Sequence, residues 1–421
     1  MNKFVIAKVK IFFLKQSKKD KFFNIFALYK PQKMKKSLII VLLLSLVPLF
    51  SFSQSGVVTG AERIDEYINF IKAKKVAIVT NQTGVVHNAQ GELVHLLDTL
   101  LALDINVVKV FSPEHGFRGN VEAGGVVKNS VDSKTGLPIV SLYGKNKKPT
   151  AEQMKDCDVI LFDLQDVGCR FYTYISTLHY AMEACAENNC KIIVLDRPNP
   201  NDYIDGPVLE PKFKSFVGMH TIPVLHAMTI GEYARMINGE RWLKNSVVCD
   251  LQVIKLLNWH HDMQEAYKIP VAPSPNLQTP NAIALYPSLC FFEGTIVSVG
   301  RGTDRPFEII GYPGYKDTTF SFTPRAIKGV SDNPPYKGVK CYGIQELENR
   351  IKELNFSFLI KMYQNEEKKS EFFTSFFDKL AGTDKLRKQI ENGLSEKEIK
   401  SSWQEDIEKF KKIRSKYLLY E

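Results

Sequence analysis

Residues 158–164 read DVILFDL, an apolar run without alternation of polar and apolar positions. Such continuity suits a strand covered on both faces, and the run is too short for an ordinary helix. Three further runs share the character: 75–80 (KVAIVT), 106–112 (NVVKVFS) and 191–196 (KIIVLD). Amphipathic stretches at 61–73, 91–103, 151–154 and 176–188 lie between them. This alternation predicts a parallel, doubly wound α/β sheet. Further strands are expected at 247–255 and 294–299, with the Pro- and Asn-rich 270–280 (PVAPSPNLQTP) as a domain boundary. Beyond residue 340 the chain is charged, with helices expected at 344–354, 371–380 and 395–417. Trp403, Ile407, Phe410, Ile413 and Tyr417 recur at helical spacing, which marks a packed face.

The chain has 421 residues, 44% hydrophobic, 24% charged and 11% aromatic. This composition excludes collagen-like, disordered and multi-span membrane classes, and the length suffices for two domains. The net charge of +10 is local, because residues 1–53 hold eleven Lys, no Arg and a single acid, Asp20. Taking these from 56 basic and 46 acidic residues leaves 45 of each. No basic footprint for a nucleic acid remains.

Met34-Lys35-Lys36-Ser37 precedes an apolar run from Leu38 to Phe50 and then Ser51-Phe52-Ser53-Gln54. This is the layout of a secretory signal peptide at 34–53, cleaved before Gln54. The run is short for a membrane span, so no stable membrane insertion is expected after cleavage. The location implied is periplasmic or secreted. Residues 1–33 fit neither a signal nor a domain and read as an over-extended start. The seven Cys form no disulfide or metal framework and read as buried thiols. Cys185 and Cys190 are the one pair that invites a test for a disulfide.

Each of the four runs ends in a polar loop. These loops begin at Asn81 (NQTG), Pro113 (PEHGFRG), Gln165 (QDVGCRFY) and Arg197 (RPNP). In an open parallel sheet such loops gather at the carboxyl edge, where ligands bind. Glu114, His115, Arg118, Asp163, Asp166, Arg170, Tyr172 and Asp196 are therefore expected near one pocket. GxGxxG, GxxxxGK[ST] and GxSxG are absent, which removes the main support for nucleotide cofactors and a serine nucleophile. Carboxylates with Arg, Tyr and Asn suit a polyhydroxylated, anionic substrate and proton transfer by a carboxylic acid. In the second half, Gly300 and Gly302 flank Arg301, a candidate anion clamp with Glu308 as its possible ion-pair partner.

Taken together, VTNQTGV (80–86), FSPEHGFRG (111–119), TGLPIVSLYG (135–144), FDLQDVGCRFYTYISTL (162–178), LDRPNP (195–200), PSPN (273–276), FEGT (292–295) and GRGTDRPFE (300–308) resemble the NamZ family, glycoside hydrolase family 171. The closing RSKYLLY (414–420) is similar too. The resemblance implies a Rossmann-like catalytic domain, 54–282, and a smaller α+β domain, 283–421, that completes the cleft. It implies an exo-β-N-acetylmuramidase, releasing N-acetylmuramic acid from the non-reducing end of peptidoglycan fragments such as a muropeptide or disaccharide, without a cofactor or metal. On this reading Glu114 is the catalytic acid, and Asp163 or Asp166 the second carboxylate. Asn81, His115, Arg118, Arg170, Tyr172, Asn276, Arg301 and Glu308 would bind the substrate.

Two rival readings use the same residues. One is a metal-dependent periplasmic hydrolase built on His115, Asp163, Asp166, Asp196 and His226, although no HxH or HExxH spacing marks such a site. The other is a non-catalytic binder of sugar fragments. On the leader, N-terminal sequencing of the native product should begin at Gln54. A peptide from residues 5–30 would contradict the proposed start at Met34.

Overall fold

The computed structural model describes residues 56–118, 129–263, 267–347 and 352–421. The expected leader and signal peptide lie outside the described residues. Seven strands form the main sheet: β1 (Val76–Thr80), β2 (Val107–Ser112), β3 (Ser130–Val131), β4 (Pro138–Ser141), β5 (Val159–Asp163), β6 (Lys191–Leu195) and β7 (Leu251–Ile254). Their order is β7-β6-β5-β1-β2-β4-β3. All neighbours are parallel except the edge strand β3, which runs antiparallel to β4. The chain thus winds outward from β1 in both directions, with the reversal between β1 and β5. This is the doubly wound, Rossmann-like arrangement.

The apolar runs form strands because both sides of the sheet are covered. Every residue of β1 and β5 is buried. Ala77, Val79, Ile160 and Phe162 face one apolar cluster, while Val76, Ile78 and Leu161 face another. That is the two-residue period of a pleated strand. Helix α1 (Leu96–Ala102) closes the second cluster with Leu96, Leu97 and Leu100. Helices α2 (Tyr174–Glu187) and α3 (Ile230–Gly239) close the first. α3 starts on a reciprocal cap in which Thr229 Oγ1 accepts from Glu232 N and Glu232 accepts from Thr229 N.

After α4 (Pro280–Leu289), a three-stranded antiparallel sheet joins β8 (Ile310–Tyr312), β9 (Ser321–Phe322) and β10 (Cys341–Ile344) in the order β8-β10-β9. Short helices follow, among them α5 (Phe377–Ala381) and α6 (Gln404–Arg414). Trp403, Ile407 and Phe410 are buried in the same cluster that α2 and α3 cover, so the apolar core is continuous from the sheet into this α+β region. Among the described residues, no helix is long and apolar enough to cross a membrane.

Several sequence expectations change. The stretch 294–299 is not a strand; Cys290–Gly294 coils into 3-10 turns, and Thr295 and Ser298 make only isolated bridges to Phe373 and Gly311. Gly294 lies so close to the Phe377 backbone that a Cβ would approach it to 2.4 Å, and the chain bends there. The stretch 61–73 breaks into three short turns because Arg63 and Tyr67 leave helical geometry. The expected helix at 344–354 does not appear in its described residues: Ile344 ends β10, 345–347 and 352–354 are not helical, and 348–351 lie outside the described residues. All seven cysteines are free thiols, Cys185 and Cys190 included.

Arg170, expected in the substrate pocket, is instead fully buried structure. Its guanidinium donates to the carbonyl oxygens of Pro207, Ile222, Leu380 and Ala381, at 2.7–2.9 Å. The first two carbonyls precede the family of C-terminal helices, and the last two end α5. One side chain therefore bolts the two parts together. Arg170→Met should lower the unfolding free energy by about 4 kcal/mol, since four buried acceptors lose their donor. A urea titration checks this, with the exposed Lys409→Met as a control that leaves the midpoint in place; an Arg170→Met midpoint equal to the control would contradict it.

Candidate active site

The loops after β2, β4 and β5 open onto a cleft of about 650 Å³, closed from the other side by residues 290–307 and α5. Glu114 enters it from the loop after β2. His115 and Gly116, with φ of 74° and 77°, both sit in the left-handed region and turn the chain sharply behind Glu114. A non-glycine residue held there is a strain typical of functional loops. Thr173, at the start of α2, donates from Oγ1 to Glu114 Oε2 at 2.7 Å. Tyr143, from the loop after β4, lines the same cleft within electrostatic reach of Glu114. Burial first, then the adjacent Glu114 charge, pushes the Tyr143 phenol well above its ordinary range. A hydroxyl donor from the start of α2 therefore holds one carboxylate in the cleft, with the Tyr143 phenol nearby.

The C-terminal part supplies an ion pair. Arg301 Nε donates to Glu293 Oε1 at 2.6 Å, and the guanidinium lies over the Phe307 ring, 5.1 Å from its centroid. Burial opposes the Arg301 charge, yet Glu293 more than compensates and raises its pKa. Its two Nη groups have no hydrogen-bond partner among the described residues. Gly300 and Gly302 adopt φ of 76° and 78°, and a Cβ on Gly300 would stand 2.6 Å from Ile309. The turn that presents Arg301 needs glycine there. Tyr143 feels the charges of Glu114, Glu293 and Arg301, so all four groups lie within electrostatic reach.

Of the residues expected at the site, Glu114, His115, Tyr172 and Arg301 line this cleft. The others are engaged elsewhere. Asp163 is fully buried and closed onto Arg197, at 2.6 Å and 3.1 Å. Asp166 bonds the Gly168 N–H at 2.7 Å, and its other oxygen is buried without a hydrogen-bond partner. Asn81 binds Thr83 and the Tyr174 hydroxyl. Asn276 donates to the Val330 carbonyl, Arg118 is paired with Asp132, and Glu308 accepts from Thr279 and Asn281 rather than from Arg301. The crevice between β1 and β5, where this fold usually binds ligands, is thus filled by the Asp163–Arg197 pair and its neighbours. The open cleft lies one strand further out.

The potential metal ligands also disperse. Asp196 binds Thr229 and Tyr420, Asp163 binds Arg197, and among the described residues no three His, Cys, Asp or Glu converge as a metal-holding group. Sequence reasoning missed Glu293, Tyr143 and Thr173. Tyr143 follows β4, a four-residue strand opened by Pro138 that carries too little apolar signal to be picked out. Glu293 stands inside FEGT (292–295), a motif that supported the resemblance but received no role.

Comparison with known proteins gives concordant matches. The family model described as exo-beta-N-acetylmuramidase NamZ, N-terminal, matches residues 76–281, and its C-terminal counterpart matches 284–420. The chain is 40% identical over 383 residues to the peptidoglycan beta-N-acetylmuramidase NamZ of Bacillus subtilis (strain 168), covering 86% of this chain and 91% of that one. Crystal structures of two DUF1343 family proteins from Bacteroides fragilis NCTC 9343 are similar. One has a TM-score of 0.79 at 48% identity, the other 0.73 at 30%, each covering 87% of this chain and 99% of its own.

The buried acids outside the cleft have a consequence for stability. Burial pushes the Asp166 carboxyl up to about 7, and burial likewise brings Asp196 to about 7. A raised carboxyl binds its proton in the folded chain while the unfolded chain has already lost it. Stability should therefore fall as pH rises from about 4 to about 7, then level off. Asp166→Asn should flatten part of that slope in unfolding titrations at several pH values. An unchanged slope would contradict the assignment.

Proposed function

Because the chain belongs to the exo-beta-N-acetylmuramidase NamZ family, we propose that it releases terminal N-acetylmuramic acid from the non-reducing end of peptidoglycan fragments. One observation supports the site assignment above the rest: Glu114, held by Thr173, shares a cleft with Tyr143 and the Glu293–Arg301 pair. Glu114 acts as the proton-transferring carboxylate, delivering a proton to the glycosidic oxygen as its bond to the anomeric carbon breaks; a water oxygen bonds that carbon in its place and gives up a proton, which restores the Glu114 acid. Thr173 fixes its orientation, which is what a near-attack geometry requires.

Arg301 binds the lactyl carboxylate, the group that distinguishes muramic acid from glucosamine. Glu293 occupies Nε and so leaves both Nη groups for that carboxylate, in a charge-assisted contact. Glu293 thereby replaces Asp163 and Asp166 as the second acid of the site, because Arg197 and the Gly168 backbone hold those two. The buried faces of Tyr172, Tyr286 and Phe307 give the cleft an apolar floor against which the sugar ring packs. We place the reaction outside the cytoplasm, where the signal-like segment 34–53 would deliver the enzyme to its substrates.

Glu114→Gln should lower kcat on a chromogenic β-N-acetylmuramide by about 10³-fold or more while free N-acetylmuramic acid still binds. Arg301→Gln should act mainly through KM, raising it by about tenfold or more, because a charge-assisted contact is lost before the transition state. Steady-state kinetics of both variants check this. Wild-type turnover by Glu114→Gln would remove Glu114 from the chemistry.

A further inference from the structure

Behind the cleft, four buried polar side chains form a single chain of contacts. The Tyr233 hydroxyl on α3 meets His220 Nδ1 at 2.8 Å, and His220 Nε2 meets His179 Nδ1 at 3.0 Å. His179 Nε2 stands 3.5 Å from Glu183 Oε2, one turn further along α2. A carboxylate only accepts, so His179 keeps its proton on Nε2 and accepts at Nδ1 from His220 Nε2. Tyr233 then donates to His220 Nδ1. Both rings are neutral, because burial lowers His179 to about 4 and His220 well below the ordinary imidazole range. Glu183 is held in turn by Lys148 Nζ and the Lys244 N–H, at 2.8 Å and 2.7 Å.

This chain pins part of the cleft wall. Ser215 and Gly218 close a tight turn through two backbone bonds, and its tip, Phe216 and Val217, lines the cleft. Ser176 Oγ donates to the Phe216 carbonyl at 2.7 Å on one side of the turn, and His220 bonds His179 on the other. Both anchors lie on α2, the helix whose N-terminal Thr173 bonds Glu114. We propose that His179 and His220 are positioning residues for the muramidase reaction: their bond holds the Phe216–Val217 wall in place, and protonation of the pair releases it. The inference rests on the reading that this cleft binds the sugar. One proton makes the His179–His220 bond, whereas two imidazolium rings would set N–H against N–H and charge against charge. Released rings regain the ordinary value of about 6.5, so the open wall takes up protons that the closed wall refuses until about pH 4. Opening therefore gains as pH falls through that window. The cations within reach, Lys148 and Lys214, add to the release; Glu183 opposes it, and Tyr233 stays neutral. A cavity of about 190 Å³ beside His220 and Trp242 leaves the ring room to move.

The test follows KM and kcat on the chromogenic muramide, with Trp242 emission taken as wild type minus Trp242→Phe, from about pH 7.5 to about pH 4.5. His220 stacks on Trp242, with 4.3 Å between centroids and 15° between planes, so its release should shift that emission to longer wavelength. In the wild type KM should rise about tenfold or more across the window, in step with the emission. His220→Gln keeps an amide at the Nε2 position that both donates and accepts without titrating. It should retain the wild-type KM at about pH 7.5 and lose most of the rise. His220→Asn falls short of His179 and should raise KM about tenfold at about pH 7.5, with kcat within about twofold. An equal rise in His220→Gln and wild type, or a wild-type KM in His220→Asn, overturns the latch. If neither variant folds, constant Trp242 emission in the wild type overturns it. These readouts are local because Asp166 and Asp196 act on global unfolding in the opposite sense over the same window. Absence of muramide turnover by the wild type would instead count against the sugar reading of the cleft, with the Trp242 titration still deciding the latch.

Discussion

The guanidinium of Arg170 holds this architecture together. It sits without a carboxylate beside it, its charge met by four carbonyl oxygens, two from 207 and 222 and two from the end of α5. A buried cation is costly unless it is hydrogen-bonded; here both Nη groups are satisfied while Nε is buried without a hydrogen-bond partner, and an arginine held this way tolerates little movement of its partners. The backbone around it is fitted to that group: a Cβ on Gly382 would stand 2.7 Å from its Nη2. From Arg170 the chain runs directly into Tyr172 and Thr173, which line the cleft, and α5 contributes Leu380 to the opposite wall. The bolt therefore fixes both sides of the cleft relative to each other.

A second constraint explains where the cleft lies. In a doubly wound sheet the reversal between β1 and β5 is the natural ligand crevice. Here it is occupied by an ion pair, Asp163 with Arg197, by the Asn81–Thr83–Tyr174 contacts and by the Gln165 side chain on the Pro198 carbonyl. The polar groups expected to recognise substrate are spent on one another. The loops of β2 and β4, with the segment from Glu293 to Phe307, make the open site instead. That site holds one carboxylate bonded by Thr173 and one arginine paired with a neighbouring acid.

Much of this was legible in the sequence, for reasons that differ by residue. The runs at 75–80, 106–112, 158–164 and 191–196 declared themselves because strands buried on both faces must be continuously apolar. Glu114 and Arg301 were found because glycines and polar residues cluster around them. Asp163 and Arg170 were misassigned for a shared reason. A charged residue at a strand end looks the same in sequence whether it faces a substrate or a buried partner, and Arg197 and the four carbonyls are distant in the chain. Tyr143 and Glu293 stood inside quoted motifs but received no role, because a short strand and a 3-10 turn carry no periodic signal; Tyr143 nevertheless lines the cleft and Glu293 holds Arg301.

The central claim is that the cleft recognises a lactyl carboxylate through Arg301 while Glu114 cleaves the adjacent glycosidic bond. The most direct measurement compares kcat/KM for matched chromogenic β-N-acetylmuramide and β-N-acetylglucosaminide, which differ only in that lactyl ether. The account predicts a preference for the muramide of about 10³-fold or more, the scale on which a site built for a charged group rejects its absence. Equal rates on the two would contradict it.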